Sequence, residues 1–259
     1  MRRDGARVLV TGAGSGIGRA IAVEADARGM SLVLCGRRQA ALAQTAAALT
    51  HRPVVVAADI STSAGRDAVT SAVAIAWGAL DVLVNNAGVI AGGPAETLDD
   101  ATLERTLRTN VMAPMALARD LKPMLMAGER SRVVNVGSIL GDIAFANFAA
   151  YSASKFALRG FSDALRREWR ADGIGVTYAA PRATRTDAAL AVAELSGQAD
   201  DRHDPPALVA RRIVDAFERG HDNVYARGPE RLFVLIQRLF PAAIDRALAR
   251  RPAPAALNS

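Results

Sequence analysis

The sequence predicts an α/β fold, a single doubly wound parallel sheet flanked by helices on both faces. Three observations lead there. Short β-rich runs alternate with alanine-rich helical stretches from Arg7 to Ala180. The predicted strands are near-continuous apolar runs, as a sheet covered on both faces requires. The first run passes through a cluster of glycines straight into a helix, a turn that such sheets place at their carboxyl edge.

The elements follow in order. Arg7 to Thr11 reads as the first strand and Gly16 to Arg28 as a helix. Ser31 to Cys35 is the second strand, Gln39 to Leu49 a helix, and Val54 to Ala58 the third strand. Thr62 to Trp77 reads as helix and Leu80 to Asn85 as strand. Asp100 to Met126 reads as one long helix, which Pro114 should bend or interrupt. Arg132 to Gly137 is a fifth strand, Ala149 to Asp172 a helix, and Gly175 to Ala180 a sixth strand. No linker or repeat interrupts the pattern, so residues 1–259 are expected to form one domain. The stretch from about 186 to 206, polar and rich in Asp, Gly and Pro, is expected to be a loop or lid. An amphipathic helix is expected over about 229–250.

Composition narrows the function classes. At 51% hydrophobic residues the chain suits a folded soluble enzyme. Cys35 is the only cysteine, which excludes an internal disulfide and points to a reducing compartment. The N-terminal apolar run is too short for a signal peptide, and no stretch of about 18 uncharged apolar residues occurs. A cytoplasmic protein is expected. The net charge is +6, but the arginines are scattered among acids rather than massed on one segment, which argues against nucleic acid as a partner.

After the first strand comes Thr11-Gly12-Ala13-Gly14-Ser15-Gly16-Ile17-Gly18. Glycine lets a strand turn sharply into a helix and lets backbone approach a pyrophosphate, which then meets the helix N-terminus. The spacing is G-x-x-x-G-x-G, and no G-K-[ST] follows, which excludes a nucleoside-triphosphate loop. The second strand ends Gly36-Arg37-Arg38. An acid there would bind both ribose hydroxyls and favour NAD; Arg37 instead suits a 2′-phosphate and favours NADP(H). Asp59 and Ile60, after the third strand, could contact adenine.

Tyr151 and Lys155 stand four apart in a predicted helix, so both side chains can enter one pocket. Free tyrosine is a poor base, and a fixed cation beside it lowers its pKa. Ser138, at the carboxyl edge of strand five, could hold the reacting oxygen.

Together these motifs resemble the short-chain dehydrogenase/reductase family: Thr11 to Gly18, Asn85-Asn86-Ala87-Gly88, Asn110, Ser138 and Tyr151-x-x-x-Lys155. The similarity runs from about Val8 to Thr186 and implies a Rossmann-type fold. It implies that Tyr151 is the acid/base, that Lys155 lowers its pKa and binds the nicotinamide ribose, and that Ser138 orients the substrate oxygen. Asn110 would hold a water linking Lys155 to solvent, and Asn86, Ala87 and Gly88 would line the adenosine side. Pro181, Thr184 and Thr186 would meet the nicotinamide amide. One position departs from the family: Arg182 stands where a glycine usually follows Pro181. If the loop needed φ > 0 there, arginine would cost roughly 1 kcal/mol. The family also implies a homodimer or homotetramer, with the helices Asp100–Met126 and Ala149–Asp172 at the interface.

The expected substrate pocket is apolar (Ile139, Leu140, Ile143, Phe145, Phe148, with Val89 to Gly93), which favours a lipophilic carbonyl or alcohol over a sugar. In the tail, Leu232, Phe233, Leu235, Ile236, Leu239, Phe240, Ile244 and Leu248 recur at helical spacing among arginines. Such a helix can lie on a membrane surface as a peripheral contact, or pack on its own domain or a second subunit. Two other classes compete with the oxidoreductase. One is a non-catalytic dinucleotide-binding sensor or scaffold, encouraged only by Arg182. The other is a hydrolase using Ser138, for which the sequence offers neither a G-x-S-x-G elbow nor an obvious histidine base. The histidines also lack metal-site spacing, so no catalytic metal is expected.

Overall fold

A computed structural model describes residues 5–186, 203–226 and 228–249. The strands are β1 (Arg7–Thr11), β2 (Ser31–Gly36), β3 (Val54–Ala57), β4 (Val82–Asn85), β5 (Arg132–Val136), β6 (Gly175–Ala180) and β7 (Asn223–Tyr225). They form one sheet in the order β3-β2-β1-β4-β5-β6-β7. Every adjacent pair is parallel. The helices are α1 (Gly16–Asp26), α2 (Gln39–Ala47), α3 (Ser63–Trp77), α4 (Asp100–Leu107), α5 (Ala113–Met126), α6 (Ala149–Glu168), α7 (Pro206–Arg219), α8 (Glu230–Leu239) and α9 (Pro241–Ala249).

The apolar strands divide their side chains between two cores. Val8, Val10, Leu32, Leu34, Val82 and Val84 enter one, which α1 and α7 complete with Ile21, Ile213 and Phe217. Leu9, Val33, Leu83 and Val133 enter the other, completed by Val69, Leu117, Leu121 and Leu165 of α3, α5 and α6. Alternate residues thus face opposite layers, and both layers are dry, which is why the strands lack polar alternation.

The expected helix Asp100–Met126 is broken into α4, a π-helical turn over Arg108–Met112, and α5. The Ala113 N–H bonds the carbonyl of Arg108, five residues back rather than four. Pro114 enters the first turn of α5 and has no N–H to offer the carbonyl of Asn110. The π-turn absorbs that irregularity and carries Asn110.

Two elements lie beyond the strands and helices expected from sequence. In α7, Val209, Ile213, Val214 and Phe217 form a buried stripe, and Gly220 ends the helix in the left-handed region at φ +76°. Arg28 ties α1 to α7 through Asp215 (2.9 Å) and Glu218. β7 extends the sheet beside β6. The tail is two helices rather than one, because Pro241 opens a new helix where α8 ends. Most of the expected lid, residues 187–202, lies outside the described residues. Among the described residues no helix is long and apolar enough to cross a membrane.

At the amino edge of the sheet, Arg7 grips Asp81 with two side-chain bonds of 2.8 and 2.9 Å. Asp81 also accepts from the Arg7 and Glu129 N–H groups. Burial alone would raise the Asp81 carboxyl, but these bonds hold it below its ordinary value. Asp81→Ala is expected to cost about 3 kcal/mol at pH 7 by urea denaturation, since it leaves Arg7 and two N–H groups without their partner. Because the folded pKa is depressed, this contribution is complete above the ordinary carboxylate range and is lost as pH falls through the depressed value. The gap between variant and wild type should therefore close in acid.

Candidate active site

The glycine loop joins β1 to α1 at the point where the sheet reverses direction, between β1 and β4. The Thr11 hydroxyl donates to the Val84 carbonyl (3.1 Å) and accepts from the Asn86 and Ala87 N–H groups, each at 3.0 Å. The Asn86 amide donates back to the Thr11 carbonyl (3.0 Å). Gly12 sits at φ +66°, and a Cβ there would come within 2.9 Å of Ala87. A Cβ on Gly14 would meet Ala41 at 3.1 Å. Ser15 precedes α1 in an extended conformation and makes no side-chain cap. The first-turn amides of Gly16, Ile17 and Gly18 have no partners within the helix and carry its positive dipole end. These groups could hold a pyrophosphate, whose charge their chemistry fits.

A cavity of about 730 Å³ runs from this loop to Tyr151. Gly12, Gly14, Ser15, Gly16 and Ile17 line one end, with Arg37, Asp59, Ile60, Asn86, Ala87 and Gly88. Ser138, Tyr151 and Lys155 line the other; Pro181 and Thr184 also line the cavity, and Thr186 lies against Gly16 of the loop, 3.0 Å from where a Cβ there would be. Two of the expected catalytic and cofactor-binding residues stand outside it. Gly18 is a packing glycine, since a Cβ there would lie 2.2 Å from the Gly12 carbonyl oxygen. Asn110 is buried behind Gly88. Its side chain accepts from the Val89 N–H and donates to the Val89 carbonyl, both at 2.8 Å, and donates to Ser154 Oγ at 3.0 Å.

At the adenosine end Arg37 is exposed. Burial would raise the Asp59 carboxyl, but bonds from Ser61 and the Arg37 charge hold it down. Arg38, not assigned from sequence, donates to Ser15 Oγ at 3.3 Å and also lines the cavity. Its signal was adjacency: a second arginine at the same strand end.

At the other end the Tyr151 phenol and the Ser138 hydroxyl both line the cavity. Lys155 Nζ lies 5.6 Å from the centre of the Tyr151 ring and donates to the Val136 carbonyl at 3.0 Å. Lys155 was expected to lower the Tyr151 pKa. Instead burial pushes the phenol up to about 12, against the opposing effect of Ser138. Burial also pushes Lys155 down to about 8. Loss of hydration penalises both charged forms, and at this separation it outweighs their attraction. Burial thus favours the neutral phenol at Tyr151 and works against the charge of Lys155.

Arg182 stands where a glycine was expected, but it does not have a positive φ, so it carries no left-handed strain. Its guanidinium pairs with the buried Asp204 at 2.7 Å. Asp204 forms a backbone bridge with Thr184. The ion pair thus fastens the nicotinamide-side loop to the segment leading into α7.

The substrate end is apolar, with Ile90, Ile139, Leu140, Phe145 and Phe148 joined by Leu248 of α9. Ile143 does not line the cavity; it packs with Val234 and Ile244 of the tail helices. The tail stripe is therefore divided. One side packs on the substrate loop, while Leu232, Phe233, Leu235, Leu239 and Phe240 stay exposed, the last two at 61% and 66%. Of the histidines, only His203 reaches the cavity wall. The Ser138 hydroxyl accepts from the Leu140 N–H, and among the described residues no histidine is bonded to it, so the nucleophile–base pair of a hydrolase is not assembled.

This geometry agrees with what the chain is similar to. The family model described as short chain dehydrogenase matches residues 6–195. Dehydrogenase/reductase SDR family member 7B of Bos taurus is 32% identical over 94% of this chain and 80% of its own length. The ketoacyl reductase HetN of Nostoc sp. is 28% identical over 93% of this chain and 88% of its own. A short chain dehydrogenase/reductase from Burkholderia phymatum, solved in complex with NAD, is 25% identical and superposes with a TM-score of 0.85, covering 100% of this chain and 99% of that one. The fold and site define a nicotinamide-dependent oxidoreductase acting on CH–OH or carbonyl groups. The chain belongs to the short-chain dehydrogenase/reductase family.

Gly18→Ala is expected to weaken dinucleotide binding about tenfold or more, because its Cβ displaces the loop carbonyl of Gly12. Gly160→Ala, where no atom lies within 4 Å of the added carbon, should leave binding unchanged. Fluorescence titration of both variants with NADPH and NADH checks this.

Proposed function

We propose that this protein is an NADP(H)-dependent carbonyl reductase or alcohol dehydrogenase acting on a lipophilic substrate. One observation carries the reading: Tyr151, one helical turn from Lys155, stands with Ser138 at the apolar end of a cavity whose far end holds the glycine loop and two arginines. When bound, the dinucleotide supplies the hydride to the carbonyl carbon. The Ser138 hydroxyl orients the carbonyl oxygen, and Tyr151 gives that oxygen its proton as negative charge develops there. The Lys155 ammonium stabilises the phenolate left behind and bonds the nicotinamide ribose. Oxidation of an alcohol runs the same transfers backwards.

Asn110 supports this arrangement by position. Its side chain is committed to Val89 and Ser154, so the water link to Lys155 starts from its main-chain carbonyl, which Pro114 cannot occupy with an N–H. Arg37 and Arg38 supply the charge for a 2′-phosphate, and no acid stands at the end of β2 to bind the ribose hydroxyls instead. The apolar lining and the ketoacyl substrate in the relative's name support a lipophilic chain next to the reacting carbonyl. Assembly belongs to the same proposal: Leu107, Met112 and Phe156 are exposed along the α4–α6 side, where a second copy would cover them. The outward row of α8, beside Arg231 and Arg238, is the surface for peripheral membrane contact. Arg182, which encouraged the reading of a non-catalytic sensor, is held in an ion pair with Asp204.

With NADPH and a panel of hydrophobic ketones, aldehydes and 3-ketoacyl thioesters, Tyr151→Phe is expected to lower kcat by roughly 10²-fold or more without weakening NADPH binding. Undiminished turnover in that variant overturns the mechanism. Arg37→Asp should reverse the cofactor order, so that kcat/KM with NADH exceeds that with NADPH; an unchanged NADPH preference removes Arg37 from its role.

A further inference from the structure

The loop that carries Ser138 is held from below by a side chain that the chemistry described so far does not use. Lys155 Nζ donates to the carbonyl of Val136. Two residues further on, the Tyr178 hydroxyl donates to the carbonyl of Ser138 at 3.2 Å. Main-chain bonds complete the attachment to β6: the Gly137 N–H to the Ala179 carbonyl (2.7 Å) and the Ile139 N–H to the Pro181 carbonyl (3.0 Å).

Tyr178 is fully buried and does not line the cavity. Its ring fills the space directly under the loop. A Cβ on Gly137 would come within 2.3 Å of its ring and hydroxyl, and one on Gly141 within 2.3 Å of the hydroxyl. Neither glycine has a positive φ. The tyrosine, rather than backbone conformation, is therefore what excludes a side chain at Gly137, and it does so at Gly141 together with the Lys155 carbonyl, 2.8 Å from the added carbon. The ring is itself clamped. The Arg159 guanidinium lies 5.3 Å from its centre and is bonded to Asp142, a carboxylate 1% exposed that belongs to the same loop. Arg238 of α8 reaches the same carboxylate at 3.3 Å.

We propose that Tyr178 is a positioning residue for proton transfer: its hydroxyl fixes the Ser138 main chain, and so the direction in which the Ser138 hydroxyl meets Tyr151 and the substrate oxygen. This rests on the reading of Ser138 and Tyr151 given above. The Ser138 carbonyl also accepts from the Gly141 N–H (2.9 Å). Loss of the tyrosine bond therefore loosens the serine without unfolding its turn.

Tyr178→Phe keeps the ring and removes one oxygen. It is expected to lower kcat for ketone reduction about fivefold, with the KM for NADPH unchanged. In a Ser138→Ala background the same substitution should cause no further loss, because the group it positions is gone. An unchanged kcat in Tyr178→Phe overturns the proposal. So does an equal fold-loss with and without the Ser138 hydroxyl, which is the result of a merely structural role. Failure of the underlying reading is seen separately, in proteins with Tyr178 intact: a wild type without turnover on the panel, or full activity in Tyr151→Phe, overturns both.

Discussion

The hydroxyl of Thr11 closes the seam on which the site depends. At the reversal point of a doubly wound sheet, β1 and β4 are neighbours, but the chain leaves them toward opposite faces. Backbone groups just past the strand ends then lose their ladder partners, and a buried unpaired N–H costs about 1–3 kcal/mol. Thr11 satisfies two such N–H groups and one carbonyl with a single oxygen. Asn86 returns a bond to the Thr11 carbonyl. With the seam closed this tightly, Gly12 and Gly18 have no room for a Cβ, and the first-turn amides of α1 face the cavity.

Burial sets the protonation states at the far end. An isolated pair of tyrosine and lysine suggests a phenolate, because the cation favours the anion. In the folded chain both groups are desolvated, so each is driven toward its neutral form. The result suits a proton donor. In the proposed reaction the substrate oxygen, gaining charge as it is reduced, would draw the proton, and Lys155 would compensate the phenolate as it forms.

The sequence signals differ in how local they are. The glycine loop, Ser138, Tyr151 and Lys155 were legible because each combines a residue type with a fixed spacing or a position at a strand end. So were six of the seven strands, since runs such as Val82-Leu83-Val84 are apolar on both faces because both are covered. β7, three residues long, carries too little pattern to be seen. The buried stripe of α7 was there to be read at helical spacing. The tail was read as one helix, although Pro241 stood at the break.

The sequence by itself determined the fold class, and it singled out the glycine loop and the Tyr151–Lys155 pair proposed for proton transfer, because these depend on periodicity and on spacings of a few residues. Tertiary structure alone decided the rest. It placed Arg38 beside Ser15, matched Arg182 with Asp204 across 22 residues, brought Leu248 over the pocket, and seated Tyr178 beneath Ser138 across 40. Each of these joins residues from separate elements, and only the packing of helices on the sheet fixes which of them meet. The direction of the Tyr151 shift belongs with them: it follows from how much water the surrounding elements exclude, which no local spacing encodes.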